Sequence, residues 1–188
     1  APLSIFENIY KLMPGNIIKY KKGILSNSES FWNIDEVVLE SKKSQYKHKK
    51  DAILELDKCL TKSISKHMVS DVSLGALLSG GIDSSTVVAL MQKQSLKKIK
   101  TFTIGFDDNS FNEAKYASAI AKYLGTEHNE LYISEAEALK TIPFLPIIYD
   151  EPFADTSQIP TSIIASLAKK QVTVALSGDG GDELFGGY

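Results

Sequence analysis

Leu74-Gly75-Ala76-Leu77-Leu78-Ser79-Gly80-Gly81-Ile82-Asp83-Ser84-Ser85 is the stretch on which the fold turns. A short apolar run enters Ser-Gly-Gly, which reads as a buried strand that stops abruptly at a glycine turn. The residues beyond it, Thr86 to Gln94, suit a helix. Strand, glycine turn and helix aim backbone N–H groups and the positive end of a helix at one point, the geometry of an anion site. The pattern returns near the end of the chain, where Val172-Thr173-Val174-Ala175-Leu176 precedes Ser177-Gly178-Asp179-Gly180-Gly181-Asp182-Glu183. Two such loops can face one polyanion from two sides, with carboxylates to hold a cation. That is nucleotide chemistry.

Between the loops, strands are expected at Leu74–Leu78, Lys100–Phe106, His128–Ile133 and Val172–Leu176. Helices are expected at Ser84–Gln94, Glu113–Leu124, Glu135–Ile148 (broken near Pro143 and Pro146) and Thr161–Lys169. This alternation predicts an α/β fold, a doubly wound parallel sheet with helices on both faces. Both loops then lie at the carboxyl ends of strands, where such sheets bind ligands. Upstream, Ile53, Leu56, Leu60 and Ile64 recur at helical spacing, and Ser41 to Lys50 is a lysine-rich solvated stretch. Residues 1–30 do not form a self-sufficient unit. Phe6, Ile9, Tyr10 and Leu12 line one face of a short helix that Pro14-Gly15-Asn16 breaks, and Ile17 to Leu25 forms two short strands around a Lys-Gly turn. The expected division is a linker or tail at 1–30 and a domain bearing both glycine loops at 31–188.

With 188 residues, 43% hydrophobic and 23% charged, the chain has the size and composition of one soluble globular domain. No apolar run approaches the roughly 20 residues needed to span a bilayer. Ala1 to Tyr10 lacks the charged-then-apolar order of a signal peptide. The single cysteine, Cys59, sits in a helical pattern and cannot form an internal disulfide, so a reducing, cytoplasmic location is expected. A net charge of −2 gives no pull toward nucleic acid or a membrane surface. All 21 basic residues are lysine, so planar bidentate grip by arginine is excluded. Phosphate must be met by backbone amides, hydroxyls, a metal or lysine.

The first loop lacks the Gly-Lys-Ser/Thr ending of a Walker-type loop. It offers instead the amides of Gly80 to Ser85 with the hydroxyls of Ser79, Ser84 and Ser85, a nest suited to a leaving pyrophosphate. Asp83 would repel phosphate unless it held magnesium. The plainer alternative is a tight turn into a helix capped by Ser or Asp, for which the full heptad is more specific than required. Glu151 and Asp155 either border an acceptor site or act as turn and cap residues. His48, His67 and His128 have no metal-ligand spacing.

Leu77 to Ser85 resembles the pyrophosphate loop of the ATP pyrophosphatases, whose fold is the adenine nucleotide alpha hydrolase type. Ser177-Gly178-Asp179-Gly180-Gly181-Asp182-Glu183-Leu184-Phe185-Gly186-Gly187-Tyr188 resembles the synthetase domain of class B, glutamine-hydrolysing asparagine synthetases. Thr101 to Phe106 and Tyr149 to Asp155 are similar to the same family. Phe6 to Gly15 resembles the segment that joins its glutaminase and synthetase domains. The resemblance implies ATP-dependent amidation of aspartate to asparagine through a β-aspartyl-AMP intermediate, with AMP and pyrophosphate released. It implies that Leu77 and Ile104 contact the adenine-ribose side, and that Ser177 and Gly178 contact the nucleotide. Ser79, Gly80, Gly81, Asp83, Ser84 and Ser85 would hold pyrophosphate, with Asp83 and Asp182 as magnesium ligands. Asp179 matches an acidic position linked to formation and turnover of the acyl-adenylate, where many relatives carry glutamate.

The resemblance also implies a fragment of a longer protein. A glutaminase domain supplying ammonia from glutamine would precede it. A helical half with a lysine and much of the acceptor pocket would follow, and the full-length protein would form a homodimer. Such a fragment is expected to bind ATP–magnesium weakly and to make no asparagine alone. Other readings are an amidotransferase acting on a sugar acid or peptide carboxylate, and a non-catalytic ATP-binding module. An RNA-modifying ATP pyrophosphatase ranks low, for want of a basic patch beyond scattered lysines.

Overall fold

The structure, a computed structural model, describes residues 1–106, 112–152 and 154–187. Phe153 and Tyr188, each part of a motif quoted above, lie outside the described residues. The chain divides into two compact units, Ala1–Leu54 and Glu55–Tyr188.

In the first unit, β1 (Asn16–Ile17) pairs antiparallel with β4 (Glu29–Ser30), and β2 (Tyr20–Lys21) pairs antiparallel with β3 (Ile24–Leu25). The inner hairpin turns at Lys22-Gly23, where φ is 51° and 80°. Positive φ at both turn positions matches the twist of the flanking strands, as the Lys-Gly turn predicts. The expected helical face of Phe6, Ile9, Tyr10 and Leu12 is a correction: these residues form no helix, and Leu3 bridges Tyr10 instead. Ser4 is one physical reason, because its Oγ donates to Ile9 O at 2.7 Å and accepts the Phe6 N–H at 3.1 Å. Such local side-chain bonds compete with a helix, and Asn8 at φ 62° turns the chain back. The sequence reading also passed over α1 (Ile34–Ser41), whose start is fixed by the Asp35 N–H donating to Asn33 Oδ1 at 2.8 Å.

Helix α2 (Lys49–His67) crosses from the first unit into the second. The second unit then alternates: β5 (Leu74–Leu77), α3 (Ile82–Gln94), β6 (Lys100–Phe106), α4 (Ala114–Leu124), β7 (Glu127–Ile133), α5 (Glu135–Leu139), α6 (Leu145–Tyr149), α7 (Gln158–Lys169), β8 (Val174–Leu176) and α8 (Gly181–Phe185). The expected break near the prolines is a 3-10 turn at Ile142–Phe144 between α5 and α6. Helix α7 begins three residues earlier than expected, because Pro160 falls in a first turn where its missing N–H costs nothing.

The four long strands form one parallel sheet in the order β7-β6-β5-β8. From β5 the chain steps outward through β6 to β7, then returns to add β8 on the other side of β5. That reversal is the switch point, and it lies between the two strands that carry the glycine loops. Alternate residues of β5 enter different cores. Ala76, followed by Leu78, packs with Val88 and Met91 of α3 and Ala117 and Ala121 of α4. Leu77 packs with fully buried Phe102, with Ile164, Leu167 and Ala168 of α7, and with Val172. The sheet is therefore covered on both faces, which is why its strands read as continuous apolar runs.

Candidate functional site

The chain leaves the sheet immediately after Leu78, whose N–H still donates to Phe102 O at 2.9 Å. Gly80 then takes φ 90°, and a Cβ there would lie 2.8 Å from Tyr116 Cβ and 2.9 Å from Ala117 N. Helix α4 thus presses on the loop where only glycine fits. Buried Ser84 braces it from within. Its Oγ accepts the Ser79 N–H at 3.2 Å, pairs with Ser79 Oγ at 2.9 Å and donates to Gly81 O at 3.3 Å. The Gly81 N–H donates to Ser79 Oγ at 3.2 Å, and Ser85 Oγ donates to Gly81 O at 2.6 Å. The residue preceding α3 is Gly81, with no side-chain cap, so the turn capped by Ser or Asp is not what forms. Among the described residues no acceptor is found for the N–H groups of Ile82, Asp83 and Ser84, the first three of α3.

The second loop carries fewer internal bonds. Ser177 Oγ donates to Asp179 Oδ2 at 2.9 Å, and the Gly181 N–H donates to Gly178 O at 3.2 Å. Gly180, at φ 91°, turns the chain into α8. The loop leans on its counterpart: a Cβ on Gly178 would lie 2.7 Å from Ser84 N and 3.1 Å from Asp83 Cβ, and one on Gly181 would overlap the Asp83 carboxyl group.

Between the loops opens a cleft of ≈ 1060 Å³. The structure brings Leu77, Ser79, Gly81, Asp83, Ser84, Ile104, Ser177, Gly178, Asp179 and Asp182 to its walls. Gly80 and Ser85 are not among the lining residues; one seats the loop on α4 and the other bonds back to Gly81 O. A neighbouring cleft of ≈ 530 Å³ shares Gly178, Asp179 and Asp182, and adds Asp155. Asp155 Oδ1 accepts the Ser157 N–H at 2.8 Å, and that bond holds its carboxyl below the usual range. Glu151 lines neither cleft. His128 lies elsewhere, with Nδ1 2.8 Å from Thr101 Oγ1 under α4.

Sequence reasoning missed the lining supplied by Thr156, Ser157, Pro160 and Thr161 at the start of α7, and that from Phe106, Glu113 and Phe185. A hydroxyl-rich run before a Pro-bearing helix start was the available signal, but its relation to the loops is tertiary. The lining carboxylates are Asp83, Glu113, Asp179 and Asp182, and the described lining residues include no lysine or histidine. That set repels a bare polyphosphate and suits one accompanied by a cation. Magnesium bound with phosphates needs only one or two carboxylates, and Asp83 and Asp182 offer hard oxygen donors of that kind. No cluster of three or more His, Cys, Asp or Glu placed to hold a metal occurs among the described residues. The donor set fits a cation that arrives with its phosphates. No helix of the described residues is long and apolar enough to cross a membrane.

The asparagine synthase family model matches residues 55–188. A putative asparagine synthetase (glutamine-hydrolyzing) 2 of Methanocaldococcus jannaschii is 40% identical over 192 residues, covering 100% of this chain and 36% of that protein. Asparagine synthetase (glutamine-hydrolyzing) 1 of Bacillus subtilis is 46% identical over 126 residues, covering 67% of this chain and 20% of that protein. The chain thus spans between a fifth and about a third of the length of these relatives. Among solved structures, an NH3-dependent NAD synthetase from Campylobacter jejuni aligns with a TM-score of 0.47 at 15% identity, over 72% of this chain and 60% of that one.

Proposed function

The chain belongs to the asparagine synthase family, and from that premise we propose that it forms the ATP-binding part of a glutamine-hydrolysing asparagine synthetase. The observation that carries this reading is the meeting of two glycine loops, from adjacent parallel strands at the switch point, around one cleft with Asp83, Asp179 and Asp182 on its walls.

In the proposed reaction an oxygen of aspartate's side-chain carboxylate attacks the α-phosphorus of ATP. The new P–O bond forms as the bond to the β-phosphate bridge breaks, giving β-aspartyl-AMP and pyrophosphate. Ammonia then attacks the acyl carbon, loses a proton and expels AMP, leaving asparagine. Positioning and charge stabilisation supply most of the catalysis in such a sequence. Leu77 and Ile104 offer an apolar shelf for the adenine-ribose end, and Ser177 and Gly178 border the nucleotide from the second loop. The uncapped opening turn of α3 receives the departing pyrophosphate. Asp83 and Asp182 would hold magnesium, which when bound neutralises polyphosphate charge. Asp179 stands between the two clefts, at a place from which its carboxylate can orient or accept a proton from the attacking ammonia.

The test is a product assay on the protein containing this chain in its full reading frame, supplied with ATP, magnesium, glutamine and one carboxylate at a time. Stoichiometric AMP, pyrophosphate and asparagine with aspartate support the proposal. Turnover with a sugar acid or peptide carboxylate, and none with aspartate, overturns it.

A further inference from the structure

Glycines in an anion-binding loop are ordinarily credited with left-handed backbone or with open amides. Neither explanation serves for Gly181, and left-handed backbone does not serve for Gly178. Both lie outside the positive-φ glycines, which in this loop are represented by Gly180. The Gly181 N–H is already engaged with Gly178 O at 3.2 Å. Gly181 is moreover the first residue of α8, where alanine would favour the helix over glycine.

At Gly181 what excludes a side chain is the Asp83 carboxyl group, whereas at Gly178 it is the backbone where Asp83 joins Ser84. A Cβ at Gly181 would overlap the Asp83 carboxyl group and lie 2.9 Å from Asp83 Cβ. A Cβ at Gly178 would lie 3.0 Å from Asp83 C and 2.7 Å from Ser84 N. Gly180, between them, has nothing within 4 Å of its Cβ position, so the crowding is not shared by every glycine of the loop. We propose that Gly181 is a positioning residue: it leaves the space in which the Asp83 carboxylate lies, while Gly178 lets the second loop close on the backbone of Asp83 and Ser84, so the second loop sets where the first loop's carboxylate points. The seat brings that carboxylate against the residue preceding Asp182, whose side chain lines the same cleft. Its functional consequence rests on the proposal that Asp83 holds the cation of a bound nucleotide.

A double-mutant cycle on the intact chain tests it. In the parent background Gly181→Ala lowers the melting temperature by about 4 °C, the size of a modest overpacking penalty in a chain of this length. With Asp83→Ala the loss falls to about 2 °C, because the carboxyl group is gone while the Cβ at 2.9 Å remains. Asp83→Asn keeps the bulk without the charge and gives no rescue. Isothermal titration with ATP at graded magnesium concentrations supplies the second readout. Gly181→Ala raises the magnesium concentration for half-maximal ATP binding about tenfold and leaves metal-free ATP binding unchanged, since only the carboxylate moves. Equal melting losses in the parent and Asp83→Ala backgrounds overturn the seat. So does rescue by Asp83→Ala with magnesium dependence identical to the parent. Rescue in a chain that binds no ATP–magnesium at all sustains the steric seat and sinks the nucleotide reading instead.

Discussion

The two glycine loops are nearly alike in sequence, Ser-Gly-Gly-Ile-Asp-Ser after β5 and Ser-Gly-Asp-Gly-Gly-Asp after β8, yet different forces hold them. The first is braced by its own hydroxyls: Ser79, Ser84 and Ser85 all bond within the loop, and Gly80 is wedged against α4. The second has exposed carboxylates at Asp179 and Asp182 and takes its shape partly by leaning on Asp83. One loop is braced internally, while the other carries exposed charge and packs against its neighbour. Similar glycine patterns therefore do not imply similar work. What distinguishes them is where their hydrogen bonds end.

That contrast breaks most visibly at Gly80. Gly80→Ala forces a side chain into left-handed backbone and against α4, and is expected to destabilise the protein by about 3 kcal/mol. Denaturant unfolding reads this directly, and a loss below about 1 kcal/mol would show that the first loop is not wedged. Next comes Ser84→Ala, which strips the buried brace and leaves the Ser79 N–H without its partner, costing about 1.5 kcal/mol. Its counterpart, Ser177→Ala, removes one bond on the second loop and is expected to stay within about 0.5 kcal/mol. Equal losses for the two serines in the same unfolding series would erase the distinction.

A smaller effect runs through α4. Beneath that helix Thr101 Oγ1 pairs with Thr126 Oγ1 at 3.0 Å and with His128 Nδ1 at 2.8 Å. His128 Nε2 has no hydrogen-bond partner among the described residues and lies 3.6 Å from Glu130 Oε1. Burial pushes the His128 pKa below its ordinary 6.5, with Glu130 partly opposing the shift. Glu130 is itself held low chiefly by its hydrogen bond to Ser118 of α4. Below pH 6.5 the unfolded chain binds the His128 proton more readily than the folded one, so stability falls with pH until the lowered folded pKa is passed. His128→Gln should flatten this part of the stability profile. Hydrogen exchange near pH 5.5 should loosen amides of α4 and the first loop before those of the second. An unchanged pH slope in His128→Gln would show that this ladder does not titrate as described.

The sheet and both loops were legible because buried parallel strands write themselves as short apolar runs ended by glycine. The first unit was less so: Phe6, Ile9, Tyr10 and Leu12 have helical spacing, but Ser4 and Asn8 divert the backbone locally. Helix α1 is short, and its signal, Asn33 followed by two acidic residues, is brief. The cleft's α7 wall was hidden because it depends on β8 returning to the far side of β5, a tertiary fact. Nor does the motif say that Ser84 turns inward, since a hydroxyl reads the same whether it meets a ligand or its own loop.

The most direct test of the central claim is a backbone amide NMR titration of the intact chain with pyrophosphate in the presence of magnesium. The account predicts saturable shifts concentrated in Ser79 to Ser85 and Ser177 to Asp182, weakened together by Asp83→Asn. Shifts spread over the lysine-rich stretch from Lys42 to Lys50, with both loops unmoved, would contradict it.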